Sequence, residues 1–175
     1  MFKKTRLYYF NTIQKNNIDK KIYLNIGPYK LIDKKNNSLL PLSGYKNSII
    51  ILCLDELNKP IYYLSDNNGF NNKEKNNIND FLLIGDSYVH GMCVNTKDNL
   101  NSQFEKFFFF KAASLGVGGN GPLLEFATFK EYEEDYKYND LILFITPSND
   151  FKDLSNERNN KILMNYLNDS NFKQN

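Results

Sequence analysis

The chain has one histidine, His90, and two cysteines, Cys53 and Cys93, in 175 residues. A single imidazole cannot build a multi-histidine metal centre. Two cysteines without metal-ligand spacing form neither a thiolate site nor a disulfide framework, so two separate buried or half-buried thiols are expected. No run of about 18 apolar residues occurs, which argues against a transmembrane helix. The amino end, Met1 to Phe10, has a basic flank, but its apolar part is short and soon becomes polar. It makes a poor signal peptide, and a cytoplasmic location is the expectation. An excess of one charge is lacking too: 22 Lys and Arg face 20 Asp and Glu, a formal net charge of +2. That balance argues against a nucleic-acid or other polyanion partner. No cofactor and no metal are expected.

What is present is enough apolar surface for a core. Hydrophobic residues make 41% and aromatics 15% of a chain of one-domain length. Asparagine is abundant and carries no functional weight here. Residues 1–47 have weak periodicity and turn signals at Gly27-Pro28 and Ser43-Gly44, and read as an irregular extension. Ser48 to Leu54 reads as a strand and Ile61 to Leu64 as a second, so 48–64 is a candidate hairpin within an N-terminal, β-containing extension of 1–79. Asn71 to Asn79 reads as a polar connector.

From Asp80 the pattern alternates strand and helix, which predicts βαβ units and a parallel sheet. The expected strands are Phe81 to Ile84, Phe107 to Ala113 and Leu141 to Thr146. The expected helices are Asp98 to Lys106, Pro122 to about Tyr136, and about Ser155 to Leu167. On the second helix Leu123, Phe126, Phe129, Tyr132 and Tyr136 share roughly one face. The predicted class is α/β: a three-layer α/β/α, flavodoxin-like parallel sheet over 80–175, incomplete on its C-terminal side. Right-handed crossovers place strand 81–84 between the other two in that order.

Chemistry concentrates in three loops, each after a strand and so on one sheet edge: Gly85-Asp86-Ser87, Gly116 to Gly121, and Ser148-Asn149-Asp150. The carboxyl edge of a parallel sheet is where ligands bind. A serine supplies an oxygen nucleophile if a base and an oxyanion site converge on it. Glycines aim backbone N–H groups without obstruction, and an asparagine amide completes an oxyanion hole, each donor worth about 2.7–4 kcal/mol in acyl transfer.

With these residues the stretch from about Asp80 to Asp150 resembles the SGNH, or GDSL-type, family of esterases and acyl hydrolases. Gly85-Asp86-Ser87 with Gly91 is similar to the family's first block, which implies that Ser87 is the nucleophile. Ser114-Leu115-Gly116-Val117-Gly118-Gly119 resembles the second block and implies Gly119 as an oxyanion donor, with Gly118 beside it. Pro147-Ser148-Asn149-Asp150 resembles the third, with Pro147 in place of its opening glycine, and implies Asn149 as the side-chain donor. Asp86, Gly118, Asp150 and His90 are supporting positions. Tyr63 to Asp66 and Gly69 to Asn72 resemble the segment ahead of the nucleophile strand in some members.

The resemblance implies an ester hydrolase acting through an acyl-serine on a small-molecule or carbohydrate ester. It also implies a C-terminal Asp-x-x-His block, and 175 residues contain none. His90 follows Ser87 in the same turn, which is not the family's geometry for a base. Without a base a serine is a weak nucleophile. The strand from Leu141 reads as flanked on both sides with no later strand to pair it, an aggregation hazard. The expectation is therefore a truncated hydrolase, weak or inactive as this chain. The alternatives are a degenerate copy, or a partner chain that covers the sheet edge or supplies the base. Three other readings stay open: a non-catalytic carbohydrate- or ester-binding module, an O-acyltransferase of the same fold, and a dinucleotide site at the G-x-G-x-x-G run Gly116 to Gly121.

Overall fold

In a computed structural model, residues 5–16, 19–25, 39–73 and 78–174 are described. The candidate turn Gly27-Pro28 lies outside them. The fold is mixed α/β with two three-stranded sheets, ordered β1-β2-β3 and β5-β4-β6.

The first sheet holds β1 (Ile22–Leu24), β2 (Ile49–Leu54) and β3 (Pro60–Leu64). β1 runs parallel to β2, and β2 antiparallel to β3. β2 is apolar on both faces because both are covered. Ile49 and Ile51 pack with Ile22, Phe10 and Ile13, whereas Ile50 and Leu52 pack with Ile61 and Tyr63. Phe10 and Ile13 belong to α1 (Arg6–Asn16), so the region expected to be irregular supplies a helix and a paired strand. Its weak periodicity hid both, because α1 buries little of its surface. The cysteines are also corrected: Cys53 and Cys93 are joined as a disulfide, with Cα atoms 5.5 Å apart.

The second sheet is parallel throughout: β5 (Ala112–Ser114), β4 (Ile78–Ile84) and β6 (Lys137–Leu143). The serine strand β4 is central. Its far half, Leu82 to Ile84, is buried and ends at Gly85. Between the strands come α2 (Ser87–His90), α3 (Leu100–Phe108) and α4 (Pro122–Tyr132), followed by α5 (Asp150–Glu157) and α6 (Lys161–Asn168).

Several boundaries differ from the pattern reading. The phenylalanine run is not a strand. Asn99 caps α3 by accepting the Ser102 N–H at 3.0 Å, and the helix runs on through Phe108 until Phe109 closes it at φ 59°. Once a capped helix has nucleated, extending it by a turn outweighs the β-propensity of phenylalanine. β6 begins and ends earlier than expected, because its polar first half pairs through backbone with the exposed start of β4. Nor is it buried on both faces: Leu141, Leu143 and Ile145 are 44%, 52% and 55% exposed. The last helix is two helices, because Asn160 accepts the Ile162 and Leu163 N–H groups and starts α6 afresh. The buried residues of α4 are Leu123, Leu124, Glu125, Ala127 and Thr128; of the expected face, Phe129, Tyr132 and Tyr136 pack against the core around Leu82, whereas Phe126 is 37% exposed. Leu124 and Ala127 share a core with Leu40, Leu42, Leu163 and Tyr166, so a segment between β1 and β2 helps seat the helical layer.

Asp66, just after β3, ties the two sheets together. It is 6% exposed. One carboxylate oxygen accepts the N–H groups of Asn68, Gly69 and Phe70 at 2.8–2.9 Å. The other accepts the Asn72 amide at 2.8 Å and the Tyr136 hydroxyl at 2.6 Å, just before β6. Asn72 in turn brackets Ser114 at the end of β5, accepting its N–H at 2.7 Å and donating to its carbonyl at 3.0 Å. Removing a buried acceptor strands its donors, at about 1–3 kcal/mol each. Asp66→Ala is therefore expected to lower the unfolding free energy in urea by about 3 kcal/mol or more. Leu64→Ala, two residues away and half exposed, should change it by no more than about 0.5 kcal/mol.

Candidate active site

Ser87 sits at the carboxyl end of β4, where Gly85 lets the chain turn tightly. A Cβ on Gly85 would lie 2.6 Å from Val89 Cγ2 and 3.1 Å from Phe144 Cβ, so no larger residue fits between the turn and the chain leaving β6. Asp86 caps α2, and its buried carboxylate is the centre of the site. Its Oδ1 accepts the Ser87 hydroxyl at 3.3 Å and the Thr146 hydroxyl at 3.5 Å. Its Oδ2 accepts the Asn149 amide at 3.3 Å. The loops after β4 and β6 thus meet on one carboxylate.

Asn149 is anchored on both sides, since Nδ2 also donates to Asp153 at 3.2 Å. Asp150 is fully buried and turns the loop by accepting the Thr146 N–H at 2.5 Å. Ser87 and Asn149 are half-buried, so the rim stays accessible.

The glycine loop packs directly on the serine turn. A Cβ on Gly116 would come within 2.4 Å of the His90 backbone nitrogen, so only glycine allows that approach. The Gly118 N–H donates to His90 Nδ1 at 3.0 Å and is spent. Gly119, at φ 85°, has no hydrogen-bond partner for its N–H among the described residues. Of the two neighbouring glycines, Gly119 therefore has the amide left for a ligand.

His90 does not face Ser87. It is 2% exposed, and its ring spans from Gly118 N to the Tyr63 hydroxyl, 3.3 Å from Nε2. Accepting at Nδ1 puts the proton on Nε2. Burial lowers the imidazole pKa to about 4, so the ring is neutral. No imidazole touches the serine. Among the described residues the hydroxyl's proton acceptor is Asp86.

Behind Asp86 lies a group of buried acids that the sequence did not reveal. Glu125 lies in the first turn of α4, where an acid complements a helix amino end. It is in fact 2% exposed, and neither oxygen has a hydrogen-bond partner among the described residues. Burial first, then repulsion from Asp150, Asp86 and Glu157, pushes its carboxyl up to about 8. Glu157, from α5, caps α4 by accepting the Gly121 and Leu123 N–H groups at 2.8 and 2.9 Å. Burial still raises it to about 7. Asp150 is raised as well, mainly by burial. Nothing in the spacing of these residues marks them as buried; only the packing of α4 against α5 does.

Among the described residues no group of three or more His, Cys, Asp or Glu could hold a metal ion, and no helix is long and apolar enough to cross a membrane. Compared with protein-family models, curated proteins and solved structures, the chain matches none.

The buried acids set a pH dependence. Carboxyls in the unfolded chain lose their protons near 4.5, whereas Glu125 and Glu157 keep theirs to about 8 and about 7 in the fold. Over that interval the native state binds more protons, so stability falls as pH rises. His90 acts oppositely, but only between about 4 and its ordinary 6.5. The unfolding free energy from urea titration is therefore expected to drop from pH 6.5 to 8, by on the order of 1 kcal/mol per pH unit at the steepest. Glu125→Gln should flatten the drop, which urea titrations at four or five pH values would measure.

Proposed function

We propose that the rim around Ser87 is an ester-hydrolysing site of the SGNH type, with Ser87 as nucleophile and the Gly119 N–H and Asn149 amide as oxyanion donors. The observation that carries this reading is the Asp86 bridge, which holds the Ser87 hydroxyl and the Asn149 amide on one carboxylate. The Gly119 N–H, without a partner among the described residues, supports it from the glycine loop after β5. In the reaction Ser87 Oγ attacks the ester carbonyl, and its proton passes to a base. The tetrahedral oxygen is held by the donors, and the alcohol leaves with that proton. Water then releases the acid and restores the hydroxyl. Asn149 gives up one of its two carboxylate bonds to reach the oxyanion, a small cost because both are long.

The weak link is the base. Asp86 is a poor proton acceptor for a serine hydroxyl, and His90 is committed elsewhere. Loss of triad members costs about 10⁴–10⁶ in rate, while an oxyanion hole retains some catalysis. The chain by itself is therefore a slow esterase. The same acyl-serine could pass to a sugar hydroxyl, which is the O-acyltransferase alternative. A carbohydrate- or ester-binding module would keep the pocket and leave the serine unreactive. The dinucleotide alternative is disfavoured, because the Glu157 carboxylate occupies the amino end of α4 where a pyrophosphate would dock.

With p-nitrophenyl acetate, added imidazole should raise hydrolysis by the protein well above the buffer rate. Ser87→Ala should lose that increment, and a fluorophosphonate should add to Ser87 in the unmodified protein by mass spectrometry. An imidazole-dependent increment that survives Ser87→Ala refutes the assignment. Imidazole dependence without a Ser87 adduct, or neither, points to the binding module.

A further inference from the structure

A cavity of about 350 Å³ opens beside His90, with none of Asp86, Glu125, Asp150 and Glu157 in its lining. It lies between the first sheet and the loop after β5. Leu24, Pro41, Ile50 and Val117 give it an apolar wall, and Tyr63 and His90 stand at its polar end. None of its lining residues is Asp, Glu, Lys or Arg. Its volume and its mix of apolar wall and few polar groups are those of a small-molecule site. Ser87, Gly119 and Asn149 do not line it, so the inference stands whether or not Ser87 is a nucleophile.

The polar end has a direction. The Gly118 N–H donates to His90 Nδ1, which fixes the imidazole proton on Nε2. Nε2–H then donates to the Tyr63 oxygen at 3.3 Å. The Tyr63 hydroxyl already accepts, so its own proton is the next donor in the chain. No acceptor for it exists among the described residues. Tyr63 is 3% exposed, and burial with the nearby Asp66 charge holds the phenol protonated. A relay of aligned donors strengthens the last hydrogen bond in line. An anionic ligand would lose its hydration, meet no cationic lining residue and stand near the Asp66 charge, a large penalty.

We propose that this cavity binds an uncharged carbonyl compound with an apolar body, whose oxygen accepts the Tyr63 hydroxyl proton. The site is built by strands of the first sheet together with the loop after β5, and its ligand would lie two hydrogen bonds, through Tyr63, from the imidazole that holds Gly118.

Because His90 is the only histidine, ¹⁵N-histidine labelling gives one imidazole whose resonances need no assignment. Titration with 2-heptanone should move the Nε2 signal saturably, whereas heptanoate at neutral pH should leave it in place. Tyr63→Phe should weaken 2-heptanone binding about two- to tenfold, the range of one net hydrogen bond. Asn25→Trp, which fills the cavity from its rim, should abolish binding. The ¹³C-carbonyl signal of bound 2-heptanone should move downfield from its value in hexane, a readout that needs no variant. The proposal is overturned by an unmoved Nε2 signal, by equal binding of heptanoate, by full affinity in Tyr63→Phe, or by a bound carbonyl signal that stays at its hexane value.

Discussion

One buried carboxylate holds the molecule together. Asp66 closes its own turn with three backbone N–H groups and then reaches two distant elements, Asn72 and Tyr136. Through Asn72 it fixes the end of β5. The neighbouring Asn71 donates to the His90 carbonyl at 3.0 Å, and Ser114 donates to the Val89 carbonyl at 2.9 Å. The serine turn is thus pinned from outside its own strand. A lone buried charge would be costly, but five donors replace the lost water. The loop of 66–72 is in effect the clamp between the first sheet and the second.

The rim around Ser87 repeats this device on a smaller scale. Asp86 gathers a serine, a threonine and an asparagine from two loops. The difference lies behind it. Asp66 faces five donors, whereas behind Asp86 stand Glu125, pushed up to about 8 by burial and by its acidic neighbours, Glu157, raised by burial to about 7, and Asp150, raised mainly by burial. A protonated Glu125 carboxyl lets these acids share a small volume without a counter-ion. The charge behind the serine rim therefore changes with pH as Glu125 and Glu157 titrate.

How much was legible varied with the kind of interaction. β4 could be read because a buried parallel strand is a continuous apolar run, and Gly85 ends it. The convergence of three loops followed from parallel topology alone. The phenylalanine run misled, since side-chain propensity is weaker than a cap at Asn99 that starts a helix in register. β6 misled in the opposite way, because its first half pairs by backbone and carries no apolar signal. The helix 155–167 was split by Asn160, a residue equally common in loops and caps. The face of α4 was read only in part: Leu123, Phe129, Tyr132 and Tyr136 meet a core, but apolar residues surround the helix, and only contact with Leu163 and Tyr166 adds Leu124 and Ala127.

By itself the sequence determined the strand–helix alternation, the parallel sheet that follows from it, and the edge where serine, glycine and asparagine loops gather. These depend on local periodicity and on chirality, which a linear pattern records. Tertiary structure alone decided the environment of each polar group. It turned His90 away from Ser87 and onto Gly118 and Tyr63, left the Gly119 N–H rather than that of Gly118 without a partner among the described residues, buried Glu125, and joined Cys53 to Cys93. Burial and hydrogen-bond partners are set by residues distant in the chain, and no local pattern encodes which ones arrive.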